Sequence, residues 1–471
     1  MGLMGPIGRN VAQSEFRLRS LGISNITTPP MKPKLKRALI LSAIAVTLLT
    51  IAGATWFLSP ALTKALNWPK ARANWEAKGE SFDPHDFQPA AVTDSSNAAL
   101  HPWLTTQLQA TEYPDLESEI LRGIPEDLVD KIFAYPYHDR ETLPRELAQR
   151  FLDATANAPS VALATEISSR PNWQRLDHNT PFHNDWAVNQ VARDLKHLWY
   201  AHSACHLILD NPEEAWRDAA RIRTVRDWTK NGIGLTPHLL NVTTHTSLSN
   251  VWRTGIELDA WTDNQLLEIA RSDGWETSAR DRTLQALRGE VASSVATFQS
   301  IADNAKTRRM RVFIAAQQHA LAQIIMPPIS RYEALPANTP LIVLGNDLET
   351  TSNEHSKDIR ARLTETLASA GRYVLTTYVP AVCEEVTQSR LTRVAAALTL
   401  YHRQHGHYPK SIDALTPDIL PAPATDPMTN GSLLYRIEDD GSATIWSVGI
   451  DQTDDQGKGD DVVLTLSALQ K

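Results

Sequence analysis

Through most of the chain the apolar positions recur every three or four residues, the spacing of amphipathic helices, and near the end they shift to the two-residue alternation of strands. From Asp185 to Leu209 the apolar residues Trp186, Val191, Leu195, Leu198, Trp199 and Leu207 predict one long helix. Asn211 is placed to cap the next, with Pro212 in a first turn that misses no amide donor and Glu213 and Glu214 at the positive end of the dipole. Asn231 and Gly232 end that helix, Thr236 and Pro237 open another, and Thr262 with Gln265 spells a capping box for a further one through Ile269. Between Met326 and Asn346, prolines 327, 328, 336 and 340 predict helix breaks, with Leu341 to Leu344 as a buried connection. Helix resumes from Leu363 to Val379, and Pro380 predicts a joint. A last helix over about Ala381 to His405 carries Leu391, Val394, Leu398, Tyr401 and His405 on one stripe, and Gly406 stops it.

Beyond Gly406 the chain is built of turns and short strands. Ser411 caps a short helix over Ile412 to Leu415, and Pro417, Pro421 and Pro423 keep the next segment extended. Asn430 and Gly431 turn into a strand at Leu433 to Ile437. Asp440 and Gly441 make a hairpin into Ala443 to Val448, and Val462 to Leu466 supplies a third strand.

The other end sets the compartment. Residues 38 to 58, ALILSAIAVTLLTIAGATWFL, carry no charge over a length that spans hydrocarbon as a helix, and Lys32, Lys34, Lys36 and Arg37 precede them. Positive charge before the span keeps that side cytoplasmic, so the expectation is a single-pass bacterial inner-membrane protein with its bulk in the periplasm. The competing reading is a cleaved signal peptide ending at Ala52, Gly53 and Ala54; the uncleaved anchor is preferred because apolar residues continue past Ala54. Met31 is an alternative start to Met1. After the span, prolines 84, 89 and 102 with a Ser, Asn and Asp cluster mark a linker carrying His85 and His101.

At 471 residues the chain exceeds what one core usually organises, and a formal charge of −8 argues against nucleic acid. Its two cysteines, Cys205 and Cys383, exclude a disulfide scaffold, though an exported chain can pair them. His197, His202, Cys205 and His206 share one helix. His202 and His206 are four apart, as zinc ligands on a helix are, but no glutamate follows His202 and spacing identifies no third ligand, so packing histidines are the preferred reading. Neither GxSxG nor GxxxxGK[ST] occurs. In the tail, Asp451, Asp454, Asp455, Asp460 and Asp461 fall within eleven positions relieved by one base, Lys458. A hard cation with about six to eight oxygen ligands would remove their repulsion; the alternative is a solvated acidic loop.

The tail also carries a resemblance. A helix followed by YHRQHGHYPKSIDAL, LPAPATDP, LLYRI, IWSVGID and GKGDDVV is similar in order and spacing to the globular domain of the major pseudopilin of the type II secretion system, over about 80 residues. That resemblance implies a calcium site in the loop after the second strand, with Asp451, Asp461 and Asp460 as matching ligands and the carbonyl of Val448 as another. A pseudopilin carries its own apolar N-terminal helix, whereas here the span lies far upstream and no GFTLIE-like segment occurs, so filament assembly is not implied. WEAKGESFDPHDF and LILDNPEEAWRDAARI make the whole chain resemble a group of uncharacterised exported bacterial proteins that join a helical region to a pseudopilin-like end. The pair around Tyr200, Ala204, Ala215 and Ala219 looks like one degenerate tetratricopeptide-type hairpin, without the repeat of about 34 residues an array needs.

The expected fold is therefore mainly α: a cytoplasmic tail (1–37), a transmembrane anchor (38–58), a linker (59–103), an α-helical body of hairpins (104–380) and a small α+β pseudopilin-like domain with antiparallel strands (381–471). The expected function is a membrane-anchored, envelope-facing interaction or structural protein with a calcium-binding end, connected to type II secretion, whose partner is an envelope protein. The alternative is an envelope hydrolase whose site is formed by the helical body.

Overall fold

The structure, a computed structural model, describes residues 62–88, 90–110, 128, 143–156, 158–174, 186–230, 232–272, 278–357 and 366–467. The tail and anchor expected at 1–58 lie outside them; among the described residues no helix is long and apolar enough to cross a membrane. Pro60–Lys471 form one compact unit, mainly helical, with a small three-stranded antiparallel sheet.

Among the described residues there are twelve α-helices: α1 (62–76), α2 (Pro102–Ala110), α3 (Arg145–Thr155), α4 (Pro159–Ser168), α5 (Trp186–Ile208), α6 (Pro212–Thr229), α7 (Leu235–Glu257), α8 (Asp263–Arg271), α9 (Ala279–Asp303), α10 (Arg308–Glu333), α11 (Ile342–Ser356) and α12 (Thr366–His405). The capping box is present at α8, where Thr262 Oγ1 accepts from Gln265 N and Gln265 Oε1 accepts from Thr262 N. Two other starts differ from expectation. Asn211 stands at the N-cap of α6 but makes no side-chain cap, leaving Pro212 and the two glutamates to define that end. Helix α7 begins at Leu235, not Thr236, because Glu290 Oε2 of α9 accepts from the Leu235 amide at 3.0 Å and does the capping from a distance.

Of the expected proline breaks, Pro336 and Pro340 lie in the connection between α10 and α11, but Pro327, Pro328 and Pro380 break nothing. Helix α10 runs through Pro327 and Pro328, and α12 through Pro380. An interior proline costs a helix about 3 kcal/mol. Around the first pair Ile324, Ile325, Met326 and Ile329 are all buried, each worth about 1.5–3 kcal/mol, so packing outweighs the missing amide bonds. Around Pro380 the same holds for Tyr378, Val379, Val382 and Cys383, and Gly345 of α11 lets that ridge approach: a Cβ on Gly345 would lie 3.2 Å from Val379 Cγ1.

Helix α12 is the spine. Its first half packs with α7, α9, α10 and α11 around Leu287, Ile325, Leu344 and Val382; its second half joins α5, α6, α7, α8 and the sheet around Trp199, Ile222, Trp252 and Leu398. The sheet is a meander in the order β1 (Leu434–Ile437), β2 (Ala443–Ser447), β3 (Val462–Leu466), with Ile445 opposite both Tyr435 and Leu464. Ala443, Ile445, Leu464 and Leu466 belong to the core shared with α12. Cys205 and Cys383 are both buried and free, one packed on α3 and the other between α12 and α10, so the pairing open to an exported chain is not made.

Candidate functional site

Two places in this frame gather chemistry, the acidic loop after β2 and the α5–α6 hairpin. The loop covers the outer face of the sheet: Trp446 Nε1 donates to Asp454 Oδ1 at 3.1 Å, and the Arg436 guanidinium lies 5.3 Å from the Trp446 ring on the same strand pair. Strand β2 is therefore buried on both faces. Asp426, unremarked in the sequence, anchors the loop's start from the 420s turn. It is buried, and its two carboxylate oxygens accept from Met428 N, Ser447 Oγ and Val448 N at 2.8 to 3.0 Å.

The loop's two ends meet. Gly449 has φ +70°, and a Cβ there would fall 2.1 Å from the Asp460 carbonyl oxygen, so that backbone approach requires glycine. Of the expected calcium ligands, Val448 is buried with its amide on Asp426. Asp451 is exposed, with Oδ1 accepting from Thr453 N, and Asp460 is exposed at the position whose carbonyl abuts Gly449. Asp461 is half-buried: Oδ2 accepts from Gly457 N at 2.7 Å, while Oδ1 is buried with no hydrogen-bond partner. No three of the loop's carboxylates, all among the described residues, bring oxygens within 4.8 Å of one another. The donors that fit an oxygen-seeking cation here are the free Oδ1 of Asp461 and the carbonyls of the closing turn.

The second place is the hairpin whose small residues suggested close packing. Ala215 and Ala219 of α6 are fully buried against α5, and Ser203 Oγ reaches the Ala215 carbonyl at 3.4 Å. His202 and His206, one turn apart on α5, face Asp218 of α6, and one ligand atom from each lies within 4.8 Å of the others. His206 Nε2 is 3.9 Å from Asp218 Oδ2. His202 Nε2, His206 Nδ1 and Asp218 Oδ2 are buried and have no hydrogen-bond partner, a condition costing about 1–3 kcal/mol per group. Asp218 Oδ1 accepts from Arg221, whose guanidinium stacks 4.4 Å from the Trp199 ring. Burial pushes the Asp218 carboxyl up to about 7 despite Arg221, and burial, with His206 and Arg221 beside it, pushes His202 down to about 3.

The other members of the sequence constellation stay outside. His197 is pushed to about 4 by burial and by Lys196 and Arg193, and is not part of the cluster. Cys205 packs with Leu147, Ala148 and Phe151 of α3, and burial pushes its thiol up to about 12, which makes it inert as a nucleophile. Among the linker histidines, the His85 ring meets Gln88 at 3.1 Å, and the His101 ring sits 3.3 Å from Glu166.

Asp218 is the residue that sequence reasoning missed. The available signal was a carboxylate inside the apolar stripe Ala215, Ala219, Ile222, where a helix packing on its partner has no ordinary use for charge. Compared with known proteins, the chain matches no protein family, no curated protein and no solved structure.

Proposed function

We propose that the protein is a membrane-anchored, envelope-facing interaction or structural protein that displays a pseudopilin-like, calcium-stabilised end and acts alongside a machinery of the type II secretion class. The observation that carries this is the loop between β2 and β3: it is folded tightly back over Trp446, closes on itself at Gly449 and Asp460, and leaves a buried Asp461 oxygen unpartnered. Five carboxylates share this loop with one base, Lys458, so a bound cation would relieve their mutual repulsion. Calcium would be held by Asp461 Oδ1 with carbonyls of the closing turn, neutralising charge that Lys458 alone does not balance.

Protease added to spheroplasts of cells expressing the C-terminally tagged chain tests this. The expected outcome is loss of the tag from a protein that stays with membranes, with cleavage within residues 448–461 slowed by calcium and restored by chelator. A tag protected until the inner membrane is lysed would overturn the exported topology; equal cleavage with calcium and with chelator would remove the metal from the proposal.

A further inference from the structure

We propose that His202, His206 and Asp218 form a binding site for one zinc-class divalent metal ion, with a fourth coordination position left for water. This stands apart from the tail loop and does not depend on it. Two imidazoles and a carboxylate are a donor set for zinc and its neighbours, whereas calcium and magnesium select oxygen-only surroundings. A tetrahedral site with bonds of about 2.0–2.1 Å sets its ligand atoms about 3.3 Å apart. His206 Nε2 and Asp218 Oδ2 are 3.9 Å apart, and all three ligand atoms lie within 4.8 Å, so rotations of the side chains by roughly an ångström at their tips close the set.

Three features distinguish this from accidental crowding. Two of the three residues contribute a buried polar atom that the protein itself leaves unpaired, His202 Nε2 and Asp218 Oδ2, and both residues are more than nine-tenths buried. The carboxylate is oriented from behind: Arg221 holds Oδ1 while stacking on Trp199, which turns Oδ2 toward the imidazoles as outer-sphere partners of metal ligands do. The scaffold is rigid, since two histidines one turn apart and an aspartate from the adjoining helix are fixed by the Ala215 and Ala219 contact. The His206 side chain, 18% exposed, marks the side from which an ion and its water reach the site.

The test uses the full chain in detergent, stripped of metal, then titrated with zinc and with cobalt(II) in saturating calcium so that the acidic loop is already occupied. One equivalent of zinc should bind and raise the melting temperature, and cobalt should give the intense visible bands of a tetrahedral site that zinc then bleaches. H206Q and D218N should each weaken binding beyond the 10–100-fold, about, that loss of an outer-sphere partner costs. H197Q, on the same helix, should bind as the parent does. Far-UV dichroism of the metal-free proteins comes first. H206Q, which removes a partly exposed ring, decides the matter should D218N fail to fold. Absence of zinc and cobalt binding in the parent, or parent-like binding in H206Q, overturns the site.

Discussion

Gly255 in α7 shows how one missing methyl places a large side chain. A Cβ there would fall 1.9 Å from Trp261 Cε2, so the indole lies directly against the helix backbone, fully buried, with its Nε1 donating to the Trp252 carbonyl at 2.8 Å. Replacing a helical glycine by alanine ordinarily gains at most about 1 kcal/mol, and Gly255 sits in the last turn of α7. Here the indole would have to leave its slot, and losing the packing of a buried tryptophan costs about 3–5 kcal/mol, so the second effect wins. Gly255→Ala should destabilise by about 2–4 kcal/mol in urea titrations; a more stable variant would mean that Trp261 does not pack there. This contact is invisible in the sequence because it joins residues across a turn whose geometry no local pattern encodes. Asp218 differs, for its place in an apolar stripe was legible and only the distance to His202 and His206 was not.

Between elements, the α7–α12 contact is lined by polar side chains where the sequence of α12 advertises an apolar stripe. His238 Nδ1 meets the Tyr378 hydroxyl, Glu385 accepts from Thr246 and Ser249, and His245 Nε2 lies 3.0 Å from Ser389 Oγ. Burial pushes the Glu385 carboxyl up to about 8, against the two hydroxyls and Arg253 and with Glu384 adding to the rise. Burial also holds His238 at about 4 and His245 well below 6.5, with Arg282 beside both and Arg226 and Arg223 beside His245. The signs differ. A raised carboxyl gives stability that is complete below its unfolded value, 4.5, and is lost as pH rises toward 8, whereas the depressed histidines give stability that is lost as pH falls below 6.5. Asp218, at about 7, acts in the same direction as Glu385 and finishes earlier. From pH 6.5 to 8 Glu385 alone should remove about 2 kcal/mol, since each pH unit between the two pKa values is worth about 1.4 kcal/mol. Glu385→Gln keeps an acceptor for Thr246 and Ser249 without the titration, so its unfolding free energy should stay flatter than the parent's over that window. Equal slopes in the two proteins would show that Glu385 is already ionised at pH 6.5. The apolar half of α12 was legible from its three-to-four spacing; the polar half was not, because its partners are supplied by another helix far away in the chain.

For the molecule from Pro60 onward, the question is whether the β module is a separable end. The sequence marks it off with Pro380, and the capping, turn and strand signals after Gly406 match the observed elements closely: Gly406 has φ +78°, Ser411 Oγ accepts from Asp413 N, and β3 spans Val462–Leu466 as its alternation predicts. Proline signals mislead at long range because they report only the local loss of a donor, whereas the core that outweighs it is assembled from elements distant in sequence. Helix α12 crosses Pro380 and contributes to both large cores: Val382, Cys383 and Val386 to one, Leu391, Val394 and Leu398 to the other. Cutting at 380 would strip apolar partners from α7, α8, α10 and α11 at once and leave Glu385's partners Thr246 and Ser249 facing water. Six buried aliphatic or thiol side chains at about 1.5–3 kcal/mol each are comparable with the roughly 5–15 kcal/mol by which whole domains are stable. Residues 60–471 should therefore melt in one calorimetric transition whose van't Hoff and calorimetric enthalpies agree, and a chain ending at 380 should show no cooperative transition. Two resolved transitions, with the truncated chain retaining the larger, would instead establish the helical body as autonomous and α12 as a late addition to its surface.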